Sequence, residues 1–178
     1  MGAFEDVCWH EAGHGVIAAL EGLGTLRILV RENSAMPDDW RGFRHGIGAP
    51  RVSIQNVASA GMAGELINKA SSFATVTPSD LAMARSRASD DLAKYMATSP
   101  GTNRRTFEQN VAGHCWKALS LNAKMHAALA NELIDRKKVG PLVYAEIIMD
   151  MPITASSRAA DDQYLYQLEL LKPAPPII

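Results

Sequence analysis

The sequence predicts a mainly helical fold with a small β-sheet or hairpin inserted after the first helix. Three observations carry that prediction: apolar residues recur at helical spacing through most of the chain, one early stretch alternates with period two, and glycines, prolines and capping residues divide the helical runs. The chain has 178 residues. That is the size of one domain, enough to bury roughly 70% of the surface exposed by the unfolded chain.

Taken in order, Phe4, Val7, Cys8, Ala12, Val16 and Leu20 mark a first helix, closed by Gly22 and Gly24. "TLRILVR" then alternates Leu26, Ile28 and Val30 against Arg27, Leu29 and Arg31, as a strand with one dry face does. "GFRHGIG" can pair with it after a polar loop. Gly48 and Pro50 open a second helix, whose stripe of Val52, Val57, Ala60, Ala63, Leu66 and Ile67 runs to about Lys69. "TPSD" announces a third: Thr77 as N-cap, Pro78 in the first turn, and Asp80 in the acidic slot of a capping box. Leu81, Ala84, Ala88, Leu92 and Tyr95 continue its apolar face until Gly101. "TFEQ", Thr106 to Gln109, reads as the cap of a long helix carrying Val111, Trp116, Leu119, Leu129, Leu133 and Ile134 to about Lys138, where basic residues suit the helix dipole. Gly140 and Pro141 begin a short helix to about Met149; after Pro152 a last one runs from Ala155 to Leu171, before a proline-rich tail. Nothing repeats and no linker divides the chain, so residues 1–178 read as a single domain.

Composition narrows the function classes. Eighteen Lys and Arg nearly cancel nineteen Asp and Glu, which argues against a nucleic-acid or membrane surface on charge grounds. The chain is 47% apolar without any run long enough to span a bilayer. Cys8 and Cys115 are too few for a disulfide framework, and the N-terminus lacks the layout of a secretion signal, so a cytoplasmic protein is expected.

The chemistry-bearing motif is "CWHEAGHGVIAAL", residues 8 to 20. On a helix His14 stands about 40° round from His10, and Glu11 about 100°, so all three can face one point. Two imidazoles one turn apart are what a zinc site takes from a helix, with a glutamate beside the open coordination position as general base. Zn2+ is therefore the expected cofactor, held by His10 and His14, with Glu11 catalytic. Gly13 and Gly15 each weaken a helix by about 1 kcal/mol relative to alanine, which implies a packing reason for them. Two histidines leave the metal one ligand short, and a carboxylate or imidazole from elsewhere must supply it.

"HEAGHGVIAAL" resembles the zinc-binding helix of the FtsH-type ATP-dependent proteases. "SAGMAGELI" (59–67) is similar to that family's Gly-Gly-Arg-Ala-Ala-Glu-Glu helix, "ATVTPSDLAMARSRA" (74–88) to its Asn-Asp-Leu segment, and "ALSLNAKMHAALANELIDRKKVGPLVYAEII" to its closing leucine-rich helices. Residues 1–150 carry the resemblance, strongest at the first motif, and 151–178 form a C-terminal extension. There are departures: Met62 stands where the family has arginine, and the chain contains neither a phosphate-binding loop nor a membrane anchor.

The resemblance implies a helical metallopeptidase domain and makes Asp80 the third metal ligand, against the alternative that it only caps its helix. It also suggests Glu65 as the carboxylate that orients a ligating histidine, against a solvent-facing glutamate. The substrates it implies are peptides or unfolded protein segments, opened where necessary by a separate ATPase or unfoldase, and it leaves a homo-oligomer open. A substrate strand could be added along Leu26 to Arg31. Rival readings are another His-Glu-x-x-His hydrolase, or a catalytically silent interaction module. His45 reads as a surface strand residue rather than a site residue. His114 and His126 are too far apart to share a metal, Cys8 points away from the histidines, and Cys115 and Trp116 belong to the core.

Overall fold

A computed structural model describes residues 3–32, 39–46 and 50–170. The expected opening of the second helix at Gly48 and the proline-rich tail lie outside these residues. The fold is mainly α-helical, with a small antiparallel sheet following the first helix.

Helix α1 (Ala3–Leu20) is the axis of the molecule. Buried residues from Asp6 to Ala18 lie all round it, as expected of a helix inside a core rather than on its surface. It packs chiefly on α2 (Arg51–Ile67), then on α7 (Ala123–Arg136) and the sheet. Small residues allow the close α1–α2 crossing. Gly13 and Gly64 meet back to back, and a Cβ on either would strike main-chain atoms of the other helix, which is the packing reason for a glycine in mid-helix.

Strands β1 (Thr25–Glu32), β2 (Trp40–Gly46) and β3 (Lys138–Val139) form a sheet in the order β2-β1-β3. Ile28 and Val30 turn into the core. Because β1 is central, with β2 on one side and β3 pairing Ile28 and Leu29 on the other, it is not the strand left open for a partner. The strand at the outside of the sheet on that side is β2.

Two expected helices are subdivided. The third splits at Ala88 (φ −79°, ψ 14°) into α3 (Pro78–Arg87) and α4 (Ser89–Met96). Arg85 and Arg87 stand in the last turn of one and Asp90 and Asp91 in the first turn of the next, the charge order that favours a helix end followed by a helix start. The long helix breaks into α5 (Arg104–Asn110), a π-helical turn at Val111–Cys115, α6 (Trp116–Leu121) and, past Asn122, α7. Its first cap is Asn103, whose side chain accepts from the Thr106 amide, so Thr106 closes the capping box instead of starting it.

Helices α8 (Pro141–Ile148) and α9 (Ala155–Leu170) complete the chain. The buried Asp161 carboxylate accepts the amides of Leu142 (3.0 Å) and Val143 (3.1 Å), so the C-terminal extension caps the start of α8. Ion pairs from α9 to Glu132, Arg136 and Lys138 fasten it to the domain. Among the described residues no helix is long and apolar enough to cross a membrane.

Candidate metal centre

One turn of α1 aims His10 and His14 in the same direction, with ring centroids 4.8 Å apart. Nε2 of His10 lies 2.9 Å, and Nε2 of His14 3.1 Å, from one oxygen, Oδ2 of Asp91. All three residues are buried, their ligand atoms lie within 4.8 Å of one another, and the group could hold a metal ion.

The acidic member is Asp91 rather than Asp80. Asp80 stays at the start of α3, where its amide donates to Thr77 Oγ1 (3.1 Å), the Thr77 hydroxyl donates back to Oδ2 (2.6 Å), and Lys69 lies 3.6 Å from Oδ1. Spacing could not have separated the two aspartates. On one continuous helix they would share a face, about 20° apart, and both precede a leucine. The legible signal was the passage from Arg85 and Arg87 to Asp90 and Asp91, which marks a new helix start at the level of Asp91.

The surroundings prepare the ligands. The His14 Nδ1–H donates to the Val57 carbonyl (2.6 Å), which orients the ring with Nε2 toward Asp91. Nδ1 of His10 faces Oε2 of Glu65 across 3.9 Å, and both atoms are buried with no hydrogen-bond partner among the described residues. Glu65, expected to orient a histidine, thus lies behind His10. Its other oxygen meets Arg87 and Lys69, which also bind Asp6 at 2.9 Å each. The glutamate is fully buried rather than solvent-facing. On the opposite side, a Cβ at Gly61 would land on Nε2 of both histidines, so α2 can pass here only with glycine.

Electrostatics favour positive charge at the point of convergence. Burial disfavours the His10 imidazolium, but the hydrogen bond to Asp91, the facing Glu65 carboxylate and the charges of Asp91 and Glu11 outweigh it and push the pKa up to about 10. Burial works against the Asp91 carboxylate as well, yet His14 and His10 hold its pKa far below the usual range. Glu11 behaves differently. Its pKa is raised by burial, partly opposed by His14 and His10, and its Oε2 has no partner among the described residues.

His10, Glu11, His14 and Asp91 line a cleft of about 780 Å³. Strand β2 forms one wall, and Gly42 lies so close to Glu11 that any side chain there would displace the carboxylate. Other sequence candidates stay outside. His45 is exposed and does not line the cleft, His114 pairs with Glu21 at 3.7 Å, and His126 is buried with Nε2 donating to the Trp9 carbonyl (3.1 Å). Burial lowers the pKa of His126 to about 4. Cys8 and Cys115 are both buried free thiols. No protein-family model matches this chain, and no curated protein matches it.

Proposed function

We propose that the protein is a zinc-dependent metallopeptidase that hydrolyses peptide bonds in peptides or unfolded protein segments. The observation that carries this reading is the convergence of His10, His14 and Asp91 in a cleft that also holds a carboxylate oxygen of Glu11 without a partner among the described residues. The donor set fits the metal: two imidazole nitrogens and one carboxylate oxygen are the ligands of open, catalytic zinc sites. Glu65 supplies the outer carboxylate that such a histidine ordinarily has. The resemblance of the first motif to the FtsH-type proteases points the same way.

Bound zinc would supply Lewis acidity, making water acidic enough to yield a proton near neutral pH. Glu11 is placed to take that proton as the water attacks the carbonyl carbon, and to hand it to the departing amine when the C–N bond breaks. Burial raises the pKa of this carboxylate, which makes it a stronger base than an exposed glutamate. Gly42 keeps the wall beside Glu11 free of side chain. Among the described strands β2 is the outer one on this side, so an extended peptide added along its outer edge would pass the carboxylate main chain to main chain.

Replacing Glu11 by Gln tests the assignment. The variant should bind zinc as the natural protein does while its cleavage of an unfolded protein falls at least about a hundredfold, the scale of lost general-base catalysis. Undiminished, chelator-sensitive cleavage by Glu11→Gln would refute the role given to this carboxylate. An absence of zinc binding by the natural protein would remove the reading altogether.

A further inference from the structure

The inward face of β2 carries Trp40, Gly42, Arg44 and Gly46 in alternation, with Arg41, Phe43 and His45 exposed between them. Gly42 makes room for Glu11, and Gly46 makes room for the guanidinium of Arg44, whose Cζ and both terminal nitrogens occupy the space of a side chain at 46. Resting on the peptidase reading above, we propose that Arg44 determines specificity in the cleft by binding a carboxylate of the substrate, two to four residues from the bond that is cut.

Three arginines line the cleft, and two of them, Arg41 and Arg87, each meet an Asp or Glu. Arg44 lines the cleft half-buried, yet among the described residues it has no carboxylate partner. It is anchored instead by neutral acceptors: Nε donates to Thr25 Oγ1 (3.1 Å) and Nη2 to the Gly24 carbonyl (3.2 Å). A guanidinium has five N–H groups, so Nη1 and one N–H of Nη2 are left for a ligand. Burial lowers its pKa, opposed by Tyr144 and Glu11, as expected of a partly desolvated cation lacking a full counter-charge.

Reach fixes the position. Gly42 lies against Glu11, and Arg44 is two residues further along the same face, about 7 Å away, with its side chain extending the distance toward Gly46. An extended peptide rises about 3.3 Å per residue, which places the bound group two to four residues from the reacting carbonyl. A planar carboxylate can accept two parallel N–H groups of a guanidinium, a geometry that a neutral amide cannot match. The carboxylate can belong to an Asp or Glu side chain or to the C-terminus of the peptide.

The test walks a single glutamate along one flank of the cleaved bond in a fluorogenic peptide. Each peptide has a glutamine twin, and each is made with a free and an amidated C-terminus. With the zinc-loaded protein, kcat/KM should favour the acidic member at one position by about tenfold or more, mainly through KM, the scale of a hydrogen bond to a charged group. A preference for glutamate identifies a side-chain carboxylate, and a preference for the free terminus identifies the C-terminus. Arg44→Gln should bring the ratio near one, and Arg44→Lys should keep part of it; thermal melts establish that both variants are folded.

Cleavage by the natural protein without acidic preference at any position overturns the proposal and leaves the peptidase reading intact. So does a preference that survives in Arg44→Gln. If nothing is cleaved, the same peptides are titrated against Glu11→Gln by fluorescence anisotropy. Acid-selective binding that Arg44→Gln removes in that background supports Arg44 while the peptidase reading falls, and unselective binding overturns both.

Discussion

Asp80 and Asp91 open neighbouring short helices, each followed by leucine, yet the first fastens a helix end while the second completes a group that could hold a metal ion. The difference is one of chain path and not of residue type. Asp80 is turned to its own backbone and Thr77, whereas the break at Ala88 restarts the chain so that Asp91 reaches two histidines lying far back in the sequence. A carboxylate at a helix start is available for either task, and packing of α4 on α2 decides which one it performs.

The comparison is broken most severely at Asp91. Replacing it by Asn removes the anionic ligand and should weaken zinc binding by more than about a hundredfold, beyond the range usual for loss of an outer partner. Competition against a chromophoric chelator measures this directly, and affinity within a few-fold of the natural protein would exclude Asp91 as a ligand. A sharper variant alters no charge at all. Gly61→Ala places a methyl group against Nε2 of His10 and His14, so the rings must turn aside. Overpacking of this kind costs about 1–3 kcal/mol. Zinc binding should fall nearly as far as in Asp91→Asn, separating blocked geometry from lost charge; normal zinc binding by a folded Gly61→Ala protein would mean the histidines do not converge there.

A smaller effect is expected behind the ligands. Glu65→Gln keeps the shape of the side chain facing His10 but removes the negative charge that Arg87 and Lys69 share with Asp6. Loss of an outer carboxylate lowers metal affinity about 10–100-fold, and breaking one partner out of a buried ionic network costs about 3–5 kcal/mol. Both should appear together, in chelator competition and in denaturant unfolding. Unfolding without any change in affinity would make Glu65 an element of the core only.

Much of this architecture was legible in the residues. Helical spacing located α1, α2, α8 and α9, period-two alternation located β1, and "TPSD" located the α3 cap down to the bond between Thr77 and Asp80. His10, Glu11 and His14 were legible because one turn of helix suffices to bring them together, whatever the rest of the chain does. Asp91 was not, since its place depends on a contact across most of the domain. The helix break at Ala88 hid for a related reason: alanine has the highest helix propensity of all residues, and its ψ departs from helical values only where the two charge-complemented ends meet. The central place of β1 was not legible, because alternation identifies a strand but not its neighbours, and β3 is only two residues long.

Asp80 gives the smallest effect and thereby the control for the whole comparison. Asn at this position can still accept from the Thr77 hydroxyl, and it loses only the charge that lies 3.6 Å from Lys69 and near the α3 amides. Lys69 keeps Asp6 at 2.9 Å, so no cation is left unpartnered. A capping contact is worth about 1 kcal/mol and a partly exposed ion pair less, so Asp80→Asn should lower stability by no more than about 1 kcal/mol. Zinc affinity should stay within about twofold of the natural protein, because the side chain is engaged at the helix end and not at the histidines. A hundredfold loss of zinc in Asp80→Asn, with Asp91→Asn unaffected, would reverse the assignment of the two aspartates and require α3, rather than α4, to close over the histidines.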